Sequence, residues 1–213
     1  MMLKVNEIFY SIQGESTFAG LPCVFVRLTG CNLRCLYCDT KYAYEEGDEI
    51  SIKGILGKVE KYNCDLVEIT GGEPLIQTQT IELAKALIKD GKKVLVETNG
   101  SLDISALEEP LIRIMDIKCP GSKEHEKMNW DNIQDLRQND NVKFIIADRE
   151  DFNWAVDKVE KFDLLNKSEV LFSPAFEILN PEKLSKWILE CSLPIRLQLQ
   201  IHKYIWQPSI RGV

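Results

Sequence analysis

The chain has 213 residues, a length typical of one domain, and its 45% hydrophobic residues can fill a sizeable core. Its net charge of −7 and the lack of any basic run exclude broad nucleic-acid binding, which depends on Lys and Arg neutralising phosphates. Because no apolar run approaches the roughly 18 residues of a membrane helix and the first residues lack a signal core, we expect a cytoplasmic single domain over residues 1–213 with no membrane partner.

Short apolar runs along the chain predict β-strands. Their β-branched content and length are typical of strands buried on both faces. The runs are CVFVRL (23–28), LVEIT (66–70), KVLVE (93–97), IRIMDIK (112–118), VKFIIA (142–147), EVLFS (169–173) and IRLQLQ (195–200). Amphipathic stretches between them predict helices over 52–62, 80–91, 151–162 and 181–191. Strands that alternate with helices indicate βαβ units and a parallel sheet.

The strand count favours an α/β fold built as a partial barrel. Only 14 residues separate Glu97 from Ile112, barely enough for a crossover helix, so some strands should lack a covering helix. In a parallel barrel the loops that follow the strands emerge on one face, where active sites lie. We therefore expect the cysteine-containing loop, two glycine turns, Lys118 and the turn at Ser173 and Pro174 to converge on that face.

Three cysteines, Cys31, Cys35 and Cys38, form a C-x3-C-x2-C pattern. An odd number of cysteines without a secretion signal argues against a disulfide framework, whereas clustered thiolates can hold a soft metal. A structural zinc site needs a fourth ligand from far along the chain. A four-iron cube held by three cysteines leaves one iron open to a small molecule. The spacing favours such a cluster, with zinc or incidental core thiols as the alternatives.

The remaining cysteines are scattered, and we expect core packing for them: Cys23, Cys64, Cys119 and Cys191.

The order Cys31, Cys35, Tyr37, Cys38 gives C-x3-C-x-aromatic-C, which resembles the radical S-adenosylmethionine (SAM) superfamily. Downstream, GGEP (71–74) and TNG (98–100) match as well. The resemblance implies a partial (β/α)6 barrel, a 4Fe–4S cluster, and SAM bound to the open iron. It also implies that one electron cleaves the sulfonium and gives methionine and a 5′-deoxyadenosyl radical, which removes a hydrogen from the substrate.

Two further segments narrow the resemblance. EIFYSIQGEST (7–17) before the cysteine loop, and LQLQIHKYIWQPSIRGV (197–213), resemble the 7-carboxy-7-deazaguanine synthase family of queuosine and deazapurine biosynthesis. The resemblance implies conversion of 6-carboxy-5,6,7,8-tetrahydropterin to 7-carboxy-7-deazaguanine and ammonia, with SAM regenerated and Mg2+ assisting. It also implies a reductant protein such as flavodoxin or ferredoxin, and a homodimer.

The N-terminal motif predicts part of a substrate site. Ile12, Gln13, Gly14 and Glu15 should form a turn against the pterin, because a flat guanidine-like edge needs carboxylate, amide or backbone acceptors. The alternative is a simple tight turn with a solvated Glu15. Arg27, near a strand end, is suited to a substrate carboxylate through its planar fork, and the alternative is a structural ion pair.

Other substrate-side residues come from the resemblance. Thr40 offers a hydroxyl oxygen to Mg2+, with the substrate supplying much of the coordination, although its residue type alone favours a turn or cap. Thr70 faces the substrate. Gln200 and His202 follow the last strand, and His202 either contacts substrate or only satisfies the tail. The family's terminal carboxylate reaches the pterin site, so Val213 is included.

The resemblance also assigns residues to SAM. Gly72 meets its amino end, since a glycine lets the backbone approach a ligand. Asn99, in TNG, either joins the site or only makes a turn. The family often has SPK where this chain has DIK and QP where it has SP, so the lysine's role transfers best. The residues assigned to the cofactor are Tyr37, Cys38, Asp39, Gly72, Glu73, Asp116, Ile117, Lys118, Ser173, Pro174, Ala175 and Phe176.

Two other functions stay open from the sequence. An activase that forms a glycyl radical on a partner enzyme shares the short length and the three-cysteine loop. It acts on a peptide, however, and gives no reason for the QGE turn or the basic-aromatic tail. A non-catalytic iron–sulfur electron carrier would not need glycines and a lysine on the same barrel face. Cleavage of SAM and consumption of the carboxytetrahydropterin distinguish the three.

Overall fold

The computed structural model describes residues 1–208 and 210–213. Within these ranges the strands are β1 (Met2–Ile12), β2 (Pro22–Leu28), β3 (Asp48–Ser51), β4 (Leu66–Gly71), β5 (Lys93–Thr98), β6 (Ile112–Ile117), β7 (Asn141–Ile146), β8 (Glu169–Pro174) and β9 (Arg196–Leu197). The α-helices are α1 (Ile52–Val59), α2 (Thr80–Lys89), α3 (Arg149–Lys161), α4 (Pro181–Cys191) and α5 (His202–Ile205). Short 3-10 turns occupy several of the connections.

The strands form one sheet in the order β3-β1-β2-β4-β5-β6-β7-β8-β9. Neighbours from β2 to β9 are parallel, whereas β1 is antiparallel to both β2 and β3. The six central strands, β2 and β4 to β8, with the chain's helices between them, make the predicted partial (β/α)6 barrel.

Two connections lack a covering helix. Among the described residues, neither 98–111, between β5 and β6, nor 118–140, between β6 and β7, contains an α-helix. This confirms the expectation drawn from the short span after Glu97. The other crossovers carry helices, and all of these except α2 begin at side-chain caps, as where Asp148 accepts from the Asp151 amide at 2.9 Å. Asn180 likewise caps α4 just before Pro181.

Two ends of the sheet differ from the prediction. Most of the motif that precedes the cysteine loop (7–17) belongs to strand β1. In this strand the buried side chains of Leu3 and Val5 alternate with partly exposed ones. The last predicted strand, 195–200, shortens to β9, because Gln198 and Gln200 turn inward to bond Glu15. Both differences bring polar residues towards the barrel mouth.

The core surrounds the central strands. Residues 23–26 of β2 are all buried, as expected for a strand covered on both faces. Cys23, Cys64 and Cys119 are buried in this core and Cys191 packs against it, as expected for the scattered cysteines. No helix in the described part of the chain is long and apolar enough to cross a membrane.

Candidate active site

A cavity of about 610 Å3 opens where the central strands end. Loops after parallel strands meet on this face of a barrel, and here they form a continuous wall around the cavity. The predicted residues that line it are Ile12, Gln13, Gly14, Glu15, Arg27, Cys31, Cys35, Tyr37, Cys38, Asp39, Thr40, Thr70, Gly72, Asn99, Asp116, Lys118, Ala175, Phe176, Gln200, His202 and Val213.

Four predicted cofactor residues lie behind this wall. Ile117 is a core residue, since Asp116 and Lys118 face the cavity and alternate strand residues point to opposite sides. Ser173 and Pro174 are the last residues of β8 rather than a turn, and both are buried. Glu73 is buried as well. Because none of these four residues lines the cavity, each could act on a ligand only through its neighbours.

Three free thiols share the cavity wall: Cys31, Cys35 and Cys38. Within residues 1–208 and 210–213, no three His, Cys, Asp or Glu side chains converge on a point that one metal ion could fill. The three thiols of the C-x3-C-x2-C pattern therefore lie in one wall, as a cluster held by all three requires. Burial raises the pKa of Cys35 to about 11 while Lys118 acts against that rise, so metal binding there must release a proton.

The first glycine turn packs directly on the start of the cysteine loop. A Cβ on Gly72 would lie 2.1 Å from the Gly30 carbonyl oxygen and 2.7 Å from the Cys31 Cβ. The Glu73 amide donates to the same Gly30 carbonyl at 2.8 Å. Gly72 therefore lets two backbone segments meet beside the thiols, a contact that no side chain would allow.

Glu73 connects the two loops that flank Cys31. Its carboxylate accepts hydrogen bonds from the Thr98 hydroxyl at 2.9 Å and from the Asn99 amide at 2.6 Å. The Leu75 amide donates to it at 3.0 Å. Asn99 Nδ2 then lies 3.9 Å from Cys31 Sγ. Asn99 thus stands beside the cysteine loop, and Glu73 holds it there.

Asp116 and Lys118 form a charged pair on the same wall. Lys118 Nζ lies 2.9 Å from Asp116 Oδ2. Burial lowers the pKa of Lys118, but Asp116 and Cys35 together raise it above its ordinary value. Asp116 Oδ1 is buried and has no hydrogen-bond partner among the described residues. A buried carboxylate oxygen without a partner is a vacant acceptor, and Asp116 is one of the residues that line the cavity.

Glu15 is bonded on both carboxylate oxygens. Gln200 Nε2 donates to Oε1 at 2.7 Å, and Gln198 Nε2 donates to Oε2 at 3.0 Å. The Glu15 amide donates to Gln13 Oε1 at 2.8 Å, and Gln13 also donates to the buried Glu68. The turn is therefore held rigidly in the cavity wall rather than solvated.

The C-terminal segment that begins at Gln200 packs against the turn formed by residues 12–15. The Ile201 amide donates to the Gly14 carbonyl at 3.0 Å, and a Cβ on Gly14 would lie 1.9 Å from His202 Nδ1. Lys203 Nζ lies 2.6 Å from Asp39 Oδ2, next to the cysteine loop. Burial lowers the pKa of His202, with Glu15 acting in the opposite direction. Position 14 has to be glycine, because the His202 imidazole occupies the space that a side chain there would fill.

Arg27 makes the ion pair that was the alternative to substrate binding, and it also lines the cavity. Its Nε donates to Glu7 Oε1 at 2.8 Å, and its guanidinium lies 5.8 Å from the Phe9 ring centroid and 5.9 Å from that of Tyr42. The terminal guanidinium nitrogens make no hydrogen bond to any described residue, and the side chain lines the cavity. The ion pair orients the arginine, and the remaining fork is free for an anion.

Three charged strand residues of the wall were not predicted from the sequence: Glu68, Glu97 and Lys143. Each is the charged member of an apolar run, in LVEIT, KVLVE and VKFIIA. Burial together with neighbouring carboxylates raises the pKa of Glu68 well above its ordinary value. Burying a charge in a strand covered on both faces costs free energy unless the charge is paired. A charged residue within an apolar run is therefore the sequence signal by which such residues could have been found.

A model of the Radical SAM superfamily matches residues 25–119, which span the cysteine loop, the glycine turns and Lys118. With the open barrel and the three-thiol cavity, this match places the chain in the radical SAM superfamily, which implies a 4Fe–4S cluster and SAM as cofactors.

Two curated relatives extend over nearly the whole chain. The 7-carboxy-7-deazaguanine synthase of Koribacter versatilis is 40% identical over 99% of this chain and 100% of its own length. That of Chlorobaculum tepidum is 43% identical over 99% of this chain and 97% of its own length. The chain belongs to the 7-carboxy-7-deazaguanine synthase family. The crystal structure of QueE from Escherichia coli, 22% identical, has the same fold, with a TM-score of 0.76 over 93% of this chain and 94% of that one.

Proposed function

We propose that this chain converts 6-carboxy-5,6,7,8-tetrahydropterin to 7-carboxy-7-deazaguanine with release of ammonia. The observation that carries the proposal is one cavity that contains the three free thiols, the turn 12–15 and the free fork of Arg27. Its volume of about 610 Å3 lies in the range of small-molecule sites. The names of the relatives support the same reaction.

The three cysteines would hold the cluster, and Gly72, Asp116 and Lys118 would bind SAM. When bound, these cofactors supply a carbon-centred radical that takes a hydrogen atom from the substrate. The unpartnered Asp116 oxygen would accept from SAM, and Lys118 would balance that charge. The tail over the turn excludes water, which protects a reactive intermediate.

The part of the cavity wall that contains the turn 12–15, Thr70 and Arg27 would bind the pterin. Its N–H edge needs acceptors, and Glu15 and Gln13 present carboxylate and amide groups on the turn. Thr70 lines the same wall and donates to Glu97 Oε2 at 2.8 Å. The carboxylate on C6 would pair with the outer nitrogens of Arg27.

Magnesium would bind at Thr40. Its hydroxyl lines the cavity and lies 2.9 Å from Asp39 Oδ1, so hard oxygen donors are present. Mg2+ prefers oxygen ligands and keeps several waters, which fits a site with few protein ligands that the substrate carboxylate completes. A reductant protein, such as flavodoxin or ferredoxin, and a homodimer remain expectations of the resemblance.

One assay tests the proposed function. Reconstituted, reduced enzyme with SAM, Mg2+ and 6-carboxytetrahydropterin should form 7-carboxy-7-deazaguanine and ammonia in equal amounts, with no net loss of SAM. Cleavage of SAM without consumption of the pterin would favour the activase. An intact cluster that never cleaves SAM would favour the electron carrier. Omission of Mg2+ should slow turnover, and an unchanged rate would contradict the role of Thr40.

A further inference from the structure

A buried lysine stands between the two halves of the cavity. The side chain of Lys143, on β7, is only 4% exposed, and its ammonium contacts carboxylates from three different elements. Its Nζ lies 2.8 Å from Glu15 Oε2, 2.6 Å from Glu97 Oε1 and 3.3 Å from Asp116 Oδ2. Lys143 is therefore the common partner of a turn residue, a β5 residue and a β6 residue.

The contacts of Lys143 determine how its neighbours face the cavity. Glu97 is held between Lys143 on one oxygen and the Thr70 hydroxyl on the other. Glu15 is held between Lys143 and two glutamine side chains. With both oxygens of each carboxylate engaged by donors, neither side chain can rotate away without losing charge-assisted hydrogen bonds.

The same ammonium reaches the cofactor side of the cavity. Asp116 Oδ2 is shared by Lys143 and by Lys118, which lies 2.9 Å from it. A continuous chain of opposite charges thus runs from the substrate turn through Lys143 to the wall assigned to SAM. Removing its central cation would leave buried carboxylates facing one another without compensation, which is costly at low dielectric.

We propose that Lys143 is a positioning residue of the substrate site, which fixes the carboxyl groups of Glu15 and Glu97 as acceptors for the N–H edge of the pterin. It acts through these carboxylates rather than by touching the reacting atoms. The inference rests on the proposed function, because it assigns that edge as the group recognised.

The charges around Glu97 predict a pH signature. Burial alone would raise the pKa of Glu97, but the Lys143 ammonium, the Thr70 hydroxyl and Lys118 together outweigh it and hold that pKa at about 2. Glu97 is thus ionised at neutral pH, and loss of Lys143 should let its pKa climb, so that acid protonates it. The charged groups that face it from the surrounding elements are Glu15, Arg27, Glu68, Asp116, Lys118 and Lys143.

The test measures the binding of the pterin and of SAM separately, together with the melting temperature. Reconstituted holoenzyme is titrated with 6-carboxypterin, the aromatic and unreactive form of the substrate, by quenching of pterin fluorescence, and separately with SAM. The variants are Lys143→Met, Lys143→Arg and the double variant Lys143→Met with Glu97→Gln. Arg113→Met is the matched control, since Arg113 is 3% exposed and pairs with the buried Asp140 at 2.9 Å outside the cavity lining.

We expect Lys143→Met to weaken pterin binding at least about tenfold while SAM binding changes less than about twofold. The ratio of its pterin dissociation constant to that of the wild type should grow as the pH falls from about 7.5 to 5.5, as Glu97 takes up a proton. Lys143→Arg should restore part of the affinity. The double variant should lose the pH dependence. Arg113→Met should lower the melting temperature without changing pterin affinity.

Unchanged pterin affinity in Lys143→Met would overturn the assignment. So would a parallel loss of pterin binding, SAM binding and melting temperature, which indicates a purely structural lysine. If Lys143→Met does not fold, the double variant, with one uncompensated carboxylate fewer, is compared with Glu97→Gln alone, and equal affinities would reject the role. A wild type that binds SAM but not 6-carboxypterin would refute the proposed function, and this inference with it.

Discussion

Replacement of Cys35 with alanine is expected to abolish cluster assembly and all turnover. Three thiolates are the minimum that can hold a cube while leaving one iron open. The cavity wall supplies these three as Cys31, Cys35 and Cys38, so no cysteine of the wall can replace a lost one. Iron and sulfide content after anaerobic reconstitution, together with the brown absorption of the cluster, measures assembly directly. The product assay should fall to background, because no radical can form.

Cys191→Ser is the matched control for this loss. Cys191 is a half-buried thiol at the end of α4 whose Sγ lies 3.1 Å from the Ile188 carbonyl oxygen, and it does not line the cavity. It should assemble a full cluster of about four irons per chain. Full assembly in Cys35→Ala, or equal loss in both variants, would show that the three-cysteine loop is not the cluster site.

The second large effect is expected for Arg27→Ala, which should weaken substrate binding on the order of a hundredfold. In the proposed function the guanidinium fork would make charge-assisted hydrogen bonds to the substrate carboxylate, and alanine provides none. The measurement is the KM for the carboxytetrahydropterin, with cluster absorption and SAM binding recorded beside it. Both of these should be unchanged, because Arg27 contacts neither the cysteines nor the Asp116–Lys118 pair.

Glu7→Gln separates the two roles of Arg27. Glutamine keeps an acceptor for Nε, so the arginine stays oriented and the KM should rise only a few-fold, about 0.5–1 kcal/mol of binding. If Glu7→Gln matches Arg27→Ala, or if Arg27→Ala also loses its cluster, then the arginine is a structural residue and the carboxylate is bound elsewhere.

Much of the fold could be predicted because its signals are local. The apolar runs that became β4 to β8 are short and β-branched, and their burial on both faces is a property of composition. The short span after Glu97 left barely enough residues for a helix. β1 was missed because it is not a continuous apolar run, and its motif was read as a turn rather than as a strand.

The site was predicted best where chemistry is concentrated in a loop. The cysteine loop and the turn 12–15 carry unusual residues in fixed order, so their positions follow from the sequence. Ile117 was assigned by motif, although strand alternation from Asp116 already pointed it into the core. Strand parity is thus a stronger guide than adjacency to a motif.

Long-range contacts were beyond the sequence. Lys143 could be recognised as an anomalous charge in an apolar run, but its three carboxylate partners come from distant elements, and only the folded barrel brings them together. The fit of His202 against Gly14 depends in the same way on where the tail returns. Pairings of this kind depend on tertiary geometry, which local pattern does not encode.

Hydrogen transfer from the substrate tests the central claim most directly. The enzyme is given 6-carboxytetrahydropterin that carries deuterium at C6, and 5′-deoxyadenosine and SAM are analysed by mass spectrometry. A cavity that holds the radical source beside the pterin predicts that deuterium appears at the 5′ carbon of both molecules. Formation of 7-carboxy-7-deazaguanine with the label wholly in solvent, and none in either molecule, would contradict it.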